Sequence, residues 1–335
     1  MASRSLPPGR NEIEWRLRPV SLLQKVLLLR SRLPAGMTVG LSLGSFQAWR
    51  IVLLVLLLLA IPSSPEAGDP FGLQGRVPRT AQQGGVFALT LRPAAWIDEL
   101  RGSLDNAPLI LSPIGDGRVQ ALVGIDLEAR GRRLLRLEAN DRRGRFHARE
   151  WPIRIRPRRF AAQRLTLPQH MVELDPETAT RVSEEASRLK ALWKAVTPER
   201  LWRGPFLSPV ISGAKPEGFG LRRIINDQPR SPHSGADYKA PHGSVVRASN
   251  AARVALTDEQ FFAGNALVLD HGLGLYTVYF HLQEFAVKTG DVVQKGQEVG
   301  RVGATGRATG PHLHFGVRLN GARIDPAALL RLSLR

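Results

Sequence analysis

Eight histidines occur in this 335-residue chain, and six of them (His233, His242, His271, His281, His312 and His314) fall within its last 103 residues. Imidazoles gathered in one stretch point to metal binding or proton transfer, the tasks histidine performs near neutral pH. His312 and His314 are two apart in Pro311-His312-Leu313-His314-Phe315. A β-strand carries residues i and i+2 on one face, so both rings would point the same way while Leu313 faces a core. Pro311 can begin such a strand, where its missing donor does no harm. An H-x-H pair alone also suits an ordinary strand. His233 and Asp237 lie four apart in SPHSGADYKAP. A tight turn at Ser234-Gly235-Ala236 would bring that imidazole and carboxylate to one ion. Together the two motifs offer nitrogen and carboxylate donors for a metal, with an imidazole to spare. The chain has no cysteine, which excludes thiolate sites and disulfides. Three N/O donors with a fourth position open suit a catalytic zinc. His281, in LYTVYFHL, would end a strand and bring a further unliganded imidazole. His242 and His271 read as turn residues, and His147 and His170 have no partner at ligand spacing.

The elements that must position these groups are mostly strands. From about Leu201 onward, short β runs alternate with glycines: Ser244–Ala248, Arg253–Leu256, Ala266–Leu269, Leu275–Phe280 and His314–Arg318. Val287 to Gly303 holds two glycine turns between short runs, in the manner of a barrel-sandwich repeat. Gly303–Gly310 is glycine-rich, but no helix-forming segment follows it, which excludes a phosphate loop. Upstream, Val86–Leu91, Val119–Leu127, Leu134–Ala139 and Ile153–Ile155 are separated by turn signals, and an immunoglobulin-like sandwich fits their spacing. A helix lies between the two β regions. Asp175 is its expected N-cap and Pro176 its first residue. Ala179, Val182, Ala186, Leu189, Trp193 and Val196 form its apolar stripe, and Pro198 ends it. The fold class is thus mainly β: an immunoglobulin-like sandwich, a helical connector and a C-terminal barrel-sandwich domain. The expected boundaries are 1–67 for a leader, 68–165, 166–203 and 204–335.

Hydrophobic residues make up 43% of the chain, enough for sizeable cores. Formal net charge is +18, from 47 basic and 29 acidic residues. Residues 1–67 hold 8 of the basic and 3 of the acidic ones, leaving 39 against 26, or +13, on the remainder. That field favours anionic envelope polymers or a membrane surface as partners, and equally suits a plain solubilising surface. No nucleic-acid partner is expected, because the basic excess makes no use of the histidine set. Ile51–Ile61 is an apolar run of 11 residues. A bilayer span needs about 20, so the run fits the core of a secretory signal peptide. Met37 would give that leader ordinary proportions, and an uncleaved anchor is the alternative. Export to the periplasm or cell envelope is the expectation.

The ordered segments HSGAD (233–237), GNALVLDHGLGLYTVYFHL (264–282), KTGDVVQKGQEVG (288–300) and GATGRATGPHLHF (303–315) resemble the lysostaphin/LytM peptidase family over residues about 204 to 329. That resemblance implies a duplicated-hybrid-motif β fold and one zinc per catalytic domain, held by His233, Asp237 and His314. It implies a catalytic pair at His281 and His312, and cleavage of peptidoglycan stem-peptide cross-links through a zinc-activated water. The upstream region is similar to that of Gram-negative members, which favours D,D-endopeptidase action. Some members use a tyrosine before the first motif to hold the oxyanion. None stands in FGLRRIINDQPRSPH, so Asn226, Arg223 and Arg230 become the candidates for that role. Asn265, Tyr276 and Thr309 are candidates for shaping the groove or orienting the ligands, against ordinary turn and core packing. Members that have lost zinc ligands activate cell-wall amidases instead. With all five positions intact here, such a regulator, inactive or autoinhibited, is the alternative.

Overall fold

The computed structural model describes residues 69–169, 172–211 and 215–334. The apolar run, the leader boundary and His170 lie outside the described residues, and Ser64–Arg335 forms one compact unit. Among the described helices, none is long and apolar enough to cross a membrane.

Strands β1 (Leu73–Gln74), β2 (Thr80–Gln82), β3 (Val86–Leu91), β4 (Ile97–Leu104), β5 (Ala107–Leu109), β6 (Ser112–Gly115), β7 (Arg118–Gly124), β8 (Arg132–Asp141) and β9 (Phe146–Arg156) build the upstream region. They make two sheets, ordered β1-β3-β7-β6 and β2-β9-β8-β4-β5. Leu89, Leu91, Val123, Leu135, Leu137 and Ile153 alternate inward from both sheets and close one core between them. This is the expected sandwich.

Strand β10 (Ala162–Leu165) leaves the sandwich and pairs in parallel with β11 (Arg222–Ile225), which pairs with β12 (Gln228–Pro229). Helix α1 (Pro176–Leu192) follows β10 in the chain. The Asp175 carboxylate accepts from the Thr178 amide at 2.9 Å and the Thr178 hydroxyl at 2.7 Å, as the N-cap reading requires. The apolar stripe is only partly used. Ala179 and Ala186 face solvent and Val196 is exposed, while Leu189 and Trp193 pack on Tyr276, Val268 and Val278. The helix docks instead through a polar residue, Glu185. Its buried carboxylate accepts from the Phe261 amide at 3.0 Å and from Arg181 Nε at 2.8 Å. Hydropathy periodicity could not anticipate this, because the anchor is a charge that satisfies a main-chain donor. Removing it would leave the Phe261 amide unpaired, at about 1–3 kcal/mol.

The C-terminal region holds β13 (Gly235–Tyr238), β14 (Val245–Arg247), β15 (Ala252–Gln260), β16 (Gly264–Asp270), β17 (Leu275–Phe285), β18 (Val292–Val293), β19 (Glu298–Val302), β20 (Leu313–Leu319), β21 (Ala322–Ile324) and the short helix α2 (Pro326–Leu330). Its sheet runs β13-β20-β17-β16-β15-β18, with β14 pairing β19, β19 pairing β17 and β21 pairing β20. The sheet curls around Val246, Leu267, Leu269, Leu282, Val299, Leu313 and Phe315, all fully buried. That is the barrel-sandwich architecture expected from the glycine-punctuated runs.

Two features brace it. Arg323 forks onto Asp126 of the sandwich at 2.7 and 3.0 Å and reaches Glu128 at 2.6 Å, while Arg158 meets Asp325 at 2.7 Å. Such bidentate pairs fix orientation as well as supplying energy. The second brace is His271, which is internal rather than the turn residue expected. Its ring is fully buried; Nδ1 donates to the Ala251 carbonyl at 2.9 Å, and Nε2 meets the Thr277 hydroxyl at 2.8 Å. Burial pushes its pKa down from 6.5 to about 4, the carbonyl contact opposing the shift. The folded state therefore keeps His271 neutral while the unfolded chain protonates below about 6.5. Stability is complete above that pH and falls as pH drops toward 4. Urea unfolding across this window should show a slope smaller by one proton, about 1.4 kcal/mol per pH unit, in His271→Gln than in the unaltered chain. Equal slopes would contradict the assignment.

Candidate metal centre

The first two candidate donors come from one short segment. Ser234-Gly235-Ala236 does not fold into the tight turn that the spacing suggested: Gly235 and Ala236 already belong to β13. Gly235 lies midway between the donors, and the reason is steric. A β-carbon there would stand 2.6 Å from His314 Nε2 and 2.6 Å from the Phe315 carbonyl. The third donor arrives by register. Strands β13 and β20 are antiparallel with Asp237 directly opposite His314, a placement that brings the two side chains together on one face. Leu313 is fully buried, as the H-x-H reading required.

Three acceptor atoms converge there. His233 Nε2 lies 2.8 Å from His314 Nδ1 and 3.2 Å from Asp237 Oδ1, and His314 Nδ1 lies 3.1 Å from Asp237 Oδ1. Gly218 O, 2.8 Å from His233 Nδ1, can only accept. His233 therefore carries its proton on Nδ1 and turns a bare Nε2 toward the other two donors. Burial lowers the His314 pKa to about 3, although Asp237 pulls the other way. Burial alone would raise the Asp237 pKa; the close approach of the His233 and His314 rings overcomes it and holds the carboxyl well below the usual range. Phe280 covers the ligand cluster, its ring parallel to that of His314 within 9° at 5.3 Å.

The donor chemistry fits a small divalent cation. Two neutral imidazole nitrogens and one carboxylate form a triangle with edges of 2.8, 3.1 and 3.2 Å. Tetrahedral ligands at zinc bond lengths sit about 3.3 Å apart, so little adjustment is needed. These are the residues that group within ligand reach among the described histidines and carboxylates.

His281 stands beside them because of a break in β17. Phe280 is the last residue of β17 paired with β20, opposite His314, and from Leu282 the strand pairs with β19. On the other edge the register with β16 slips by one residue between Tyr279 and Leu282. His281 occupies this bulge with φ 62° and does not end the strand as expected. Its Nδ1 donates to the Thr305 carbonyl at 2.9 Å, leaving Nε2 with a lone pair. Burial lowers its pKa to about 4, so the ring is neutral at neutral pH. His312 Nδ1 donates to Gly310 O at 2.8 Å, so its Nε2 is bare too. The two rings lie 4.8 Å apart, and His312 Nε2 is 3.9 Å from Asp237 Oδ1. Two proton acceptors thus flank three metal donors.

The remaining candidates are distributed differently. Arg223 and Arg230 line the groove of about 510 Å³ that contains His233, His281 and His314. Asn226 is not free to meet an oxyanion: its carboxamide accepts from the Leu167 amide at 2.9 Å and donates to the Leu167 carbonyl at 3.0 Å. Tyr276 does not shape the groove, because its buried hydroxyl donates to the Ala195 carbonyl and its ring packs on Trp193. The Asn265 side chain donates to the Gln283 carbonyl, and Thr309 is exposed. The loop role expected of Thr309 falls to Thr305. Its hydroxyl accepts from the Asn265 amide at 2.9 Å and donates to the Leu282 carbonyl at 2.8 Å, while its carbonyl fixes His281. Sequence reasoning also missed Arg307, Phe262 and Phe280 on the groove wall. The glycine that lets the Thr305 loop approach β16, Gly264 at φ 62°, was the available signal.

The model of peptidase family M23 matches residues 231–326. A solved structure from Pseudomonas aeruginosa described as an M23 peptidase is 30% identical and covers 77% of this chain and 96% of its own, with a TM-score of 0.56. The Neisseria meningitidis DD-carboxypeptidase/endopeptidase Mpg is 41% identical over 116 residues, 35% of this chain and 26% of that protein. The Vibrio cholerae peptidoglycan DD-endopeptidase ShyC is 42% identical over 121 residues, 36% of this chain and 28% of that protein. The match spans about a quarter of the length of these curated relatives.

Gly235→Ala should weaken divalent-metal affinity by about 10- to 100-fold, because the new methyl group displaces the His314 ring from its donor position. Calorimetric titration with zinc, alongside circular dichroism to confirm the fold, reads this directly. Unchanged affinity in a folded variant would contradict the steric account.

Proposed function

The chain belongs to peptidase family M23, and from that premise we propose that it is an exported zinc endopeptidase cleaving D,D peptide cross-links between peptidoglycan stem peptides. One observation carries the reading: His233, Asp237 and His314 converge as donors, with the His281 and His312 rings, each with a bare Nε2, beside them.

His233, Asp237 and His314 would hold the ion. Zinc bound there supplies Lewis acidity and lowers the pKa of a coordinated water to about 7. His281, kept neutral by burial, accepts a proton from the attacking water at Nε2 and returns one to the leaving amine. His312, whose ring lies 4.8 Å from that of His281, shares that proton work through its own Nε2 and donates to the developing oxyanion when protonated. The Thr305 and Gly310 carbonyls hold each ring in the tautomer this needs. Arg223, half-buried at the groove wall, places a fixed positive charge near that oxyanion. The 11-residue apolar run at Ile51–Ile61 supports export to the periplasm or envelope. The names of the relatives support peptidoglycan as the substrate. A zinc-free amidase activator is not favoured, since all five positions are present and drawn together.

Purified full-length chain should carry one zinc and cleave cross-linked muropeptides from purified peptidoglycan, and His314→Ala should lose both the metal and the cleavage. A folded, unaltered chain that takes up zinc but digests nothing, or digests without zinc, would contradict the proposal.

A further inference from the structure

A second cleft, of about 420 Å³, opens where the sandwich meets the peptidase region. Residues 127–131 line it from the sandwich, and Gly220, Arg222 and Pro232 line it from the peptidase side. Strand β11 separates it from the metal groove. Successive residues of a strand point to opposite faces, and Arg222 lines the cleft while Arg223 lines the groove. Pro232, the residue before His233, borders both cavities.

The cleft is built rather than incidental. Buried Gln83 holds its frame: the carboxamide donates to the Ala129 carbonyl at 3.0 Å and accepts from the Arg158 amide at 2.9 Å. Leu127 and Phe160 pack in one small apolar cluster and, with Ile155, give the cleft an apolar floor. Phe160 lies against Gly220, at φ 80°, where any β-carbon would collide with the ring. The Gly220 amide in turn donates to the His233 carbonyl at 2.8 Å, so the cleft wall is tied to a metal-donor residue. Two of the charges on the cleft are balanced, Glu128 by Arg323 at 2.6 Å and Arg158 by Asp325 at 2.7 Å. Arg130 and Arg222 are exposed, and neither guanidinium has a hydrogen-bond or ion-pair partner among the described residues. On the outward face of the adjoining strands Arg132 stands directly opposite Arg154, a facing of like charges that costs stability. Arg156 follows two residues later on the same face. Among the described residues no carboxylate is paired with any of these five arginines.

We infer that this cleft is a second binding site for peptidoglycan, with Arg130 and Arg222 taking the free carboxylate of a stem peptide other than the cross-link in the metal groove. Planar guanidinium forks match carboxylates in paired hydrogen bonds, and the apolar floor suits the small side chains beside them. Place decides the occupant: Pro232 borders both cavities, so whatever fills the cleft lies next to the substrate. Two sites on one polymer act together, which favours an intact wall over a short fragment. The inference rests on the peptidoglycan reading above.

The test uses full-length chain held in a chelator, so that nothing is cut, and measures co-sedimentation with purified peptidoglycan. Amidation of the peptidoglycan carboxylates should weaken binding about tenfold, a comparison that needs no variant to fold. Arg130→Gln combined with Arg222→Gln should weaken binding to native peptidoglycan by a similar factor, and amidation should add little in that variant. With zinc restored, the variant's rate on peptidoglycan divided by its rate on a short cross-linked peptide should fall by the same factor. Equal binding to native and amidated peptidoglycan overturns the inference, as does an unchanged rate ratio. An equal loss of binding to anionic phospholipid vesicles also overturns it, since the arginines would then face a membrane. Failure of the function proposal is separate: it shows as no cleavage of either substrate by unaltered zinc-loaded chain, and sedimentation still decides the inference.

Discussion

The structure is organised around one lateral contact, Asp237 facing His314 across the pairing of β13 and β20. Register in a sheet is all or nothing: a slip by one residue would send His314 to the core and Leu313 to the groove. Leu313, Phe315 and Val317 hold the register because each is fully buried on the other face. Packing of apolar side chains thereby sets the position of a polar site. The site itself gathers a carboxylate and two bare imidazole nitrogens in a buried place, an arrangement that costs several kcal/mol per desolvated charge unless a cation is shared. That electrostatic tension is the physical basis for reading the cluster as a metal centre.

Other elements serve this contact at increasing distance. Strand β17 lies on the far side of β20 and changes partner at the point where its chain must turn His281 toward the groove. The Thr305 loop locks that bulge from outside, and Gly264 permits the approach. In the core, His271, Thr277, Tyr279 and Ser249 form a buried polar chain that is satisfied internally. The sandwich is clamped to the β20–β21 hairpin through Arg323, Asp126 and Glu128, so it bears on the strand that carries His314. Glu185 holds the connector helix to the Phe261 backbone beside Phe262, on which Arg307 stacks.

Much of this was legible in the sequence. The H-x-H motif, the H-x-x-x-D motif and His281 specify donors by residue type, and period-2 alternation of apolar residues specifies which way strands face. Family resemblance assigned the ligand set, and the geometry brings those residues together. What was not legible depends on contacts between segments far apart in the chain. Asn226 looked available because a sequence does not show the Leu167 backbone that occupies its amide. Tyr276 looked like a groove residue, but the carbonyl its hydroxyl binds, that of Ala195, lies 81 positions upstream. Glu185 was invisible because a buried charge contradicts the stripe around it. Arg307 was passed over because its loop matched no phosphate-binding pattern, and nothing local indicates that its ring partner is Phe262.

The β13–β20 register brings three donor atoms to one point, where the proposed zinc would bind. Anomalous diffraction at the zinc edge, on crystals of the full-length chain grown with zinc, tests it most directly. The account predicts a single strong peak bonded to His233 Nε2, Asp237 Oδ1 and His314 Nδ1, with His281 and His312 unbonded. A peak on any other set of residues, or none at these three in well-ordered crystals, would contradict it.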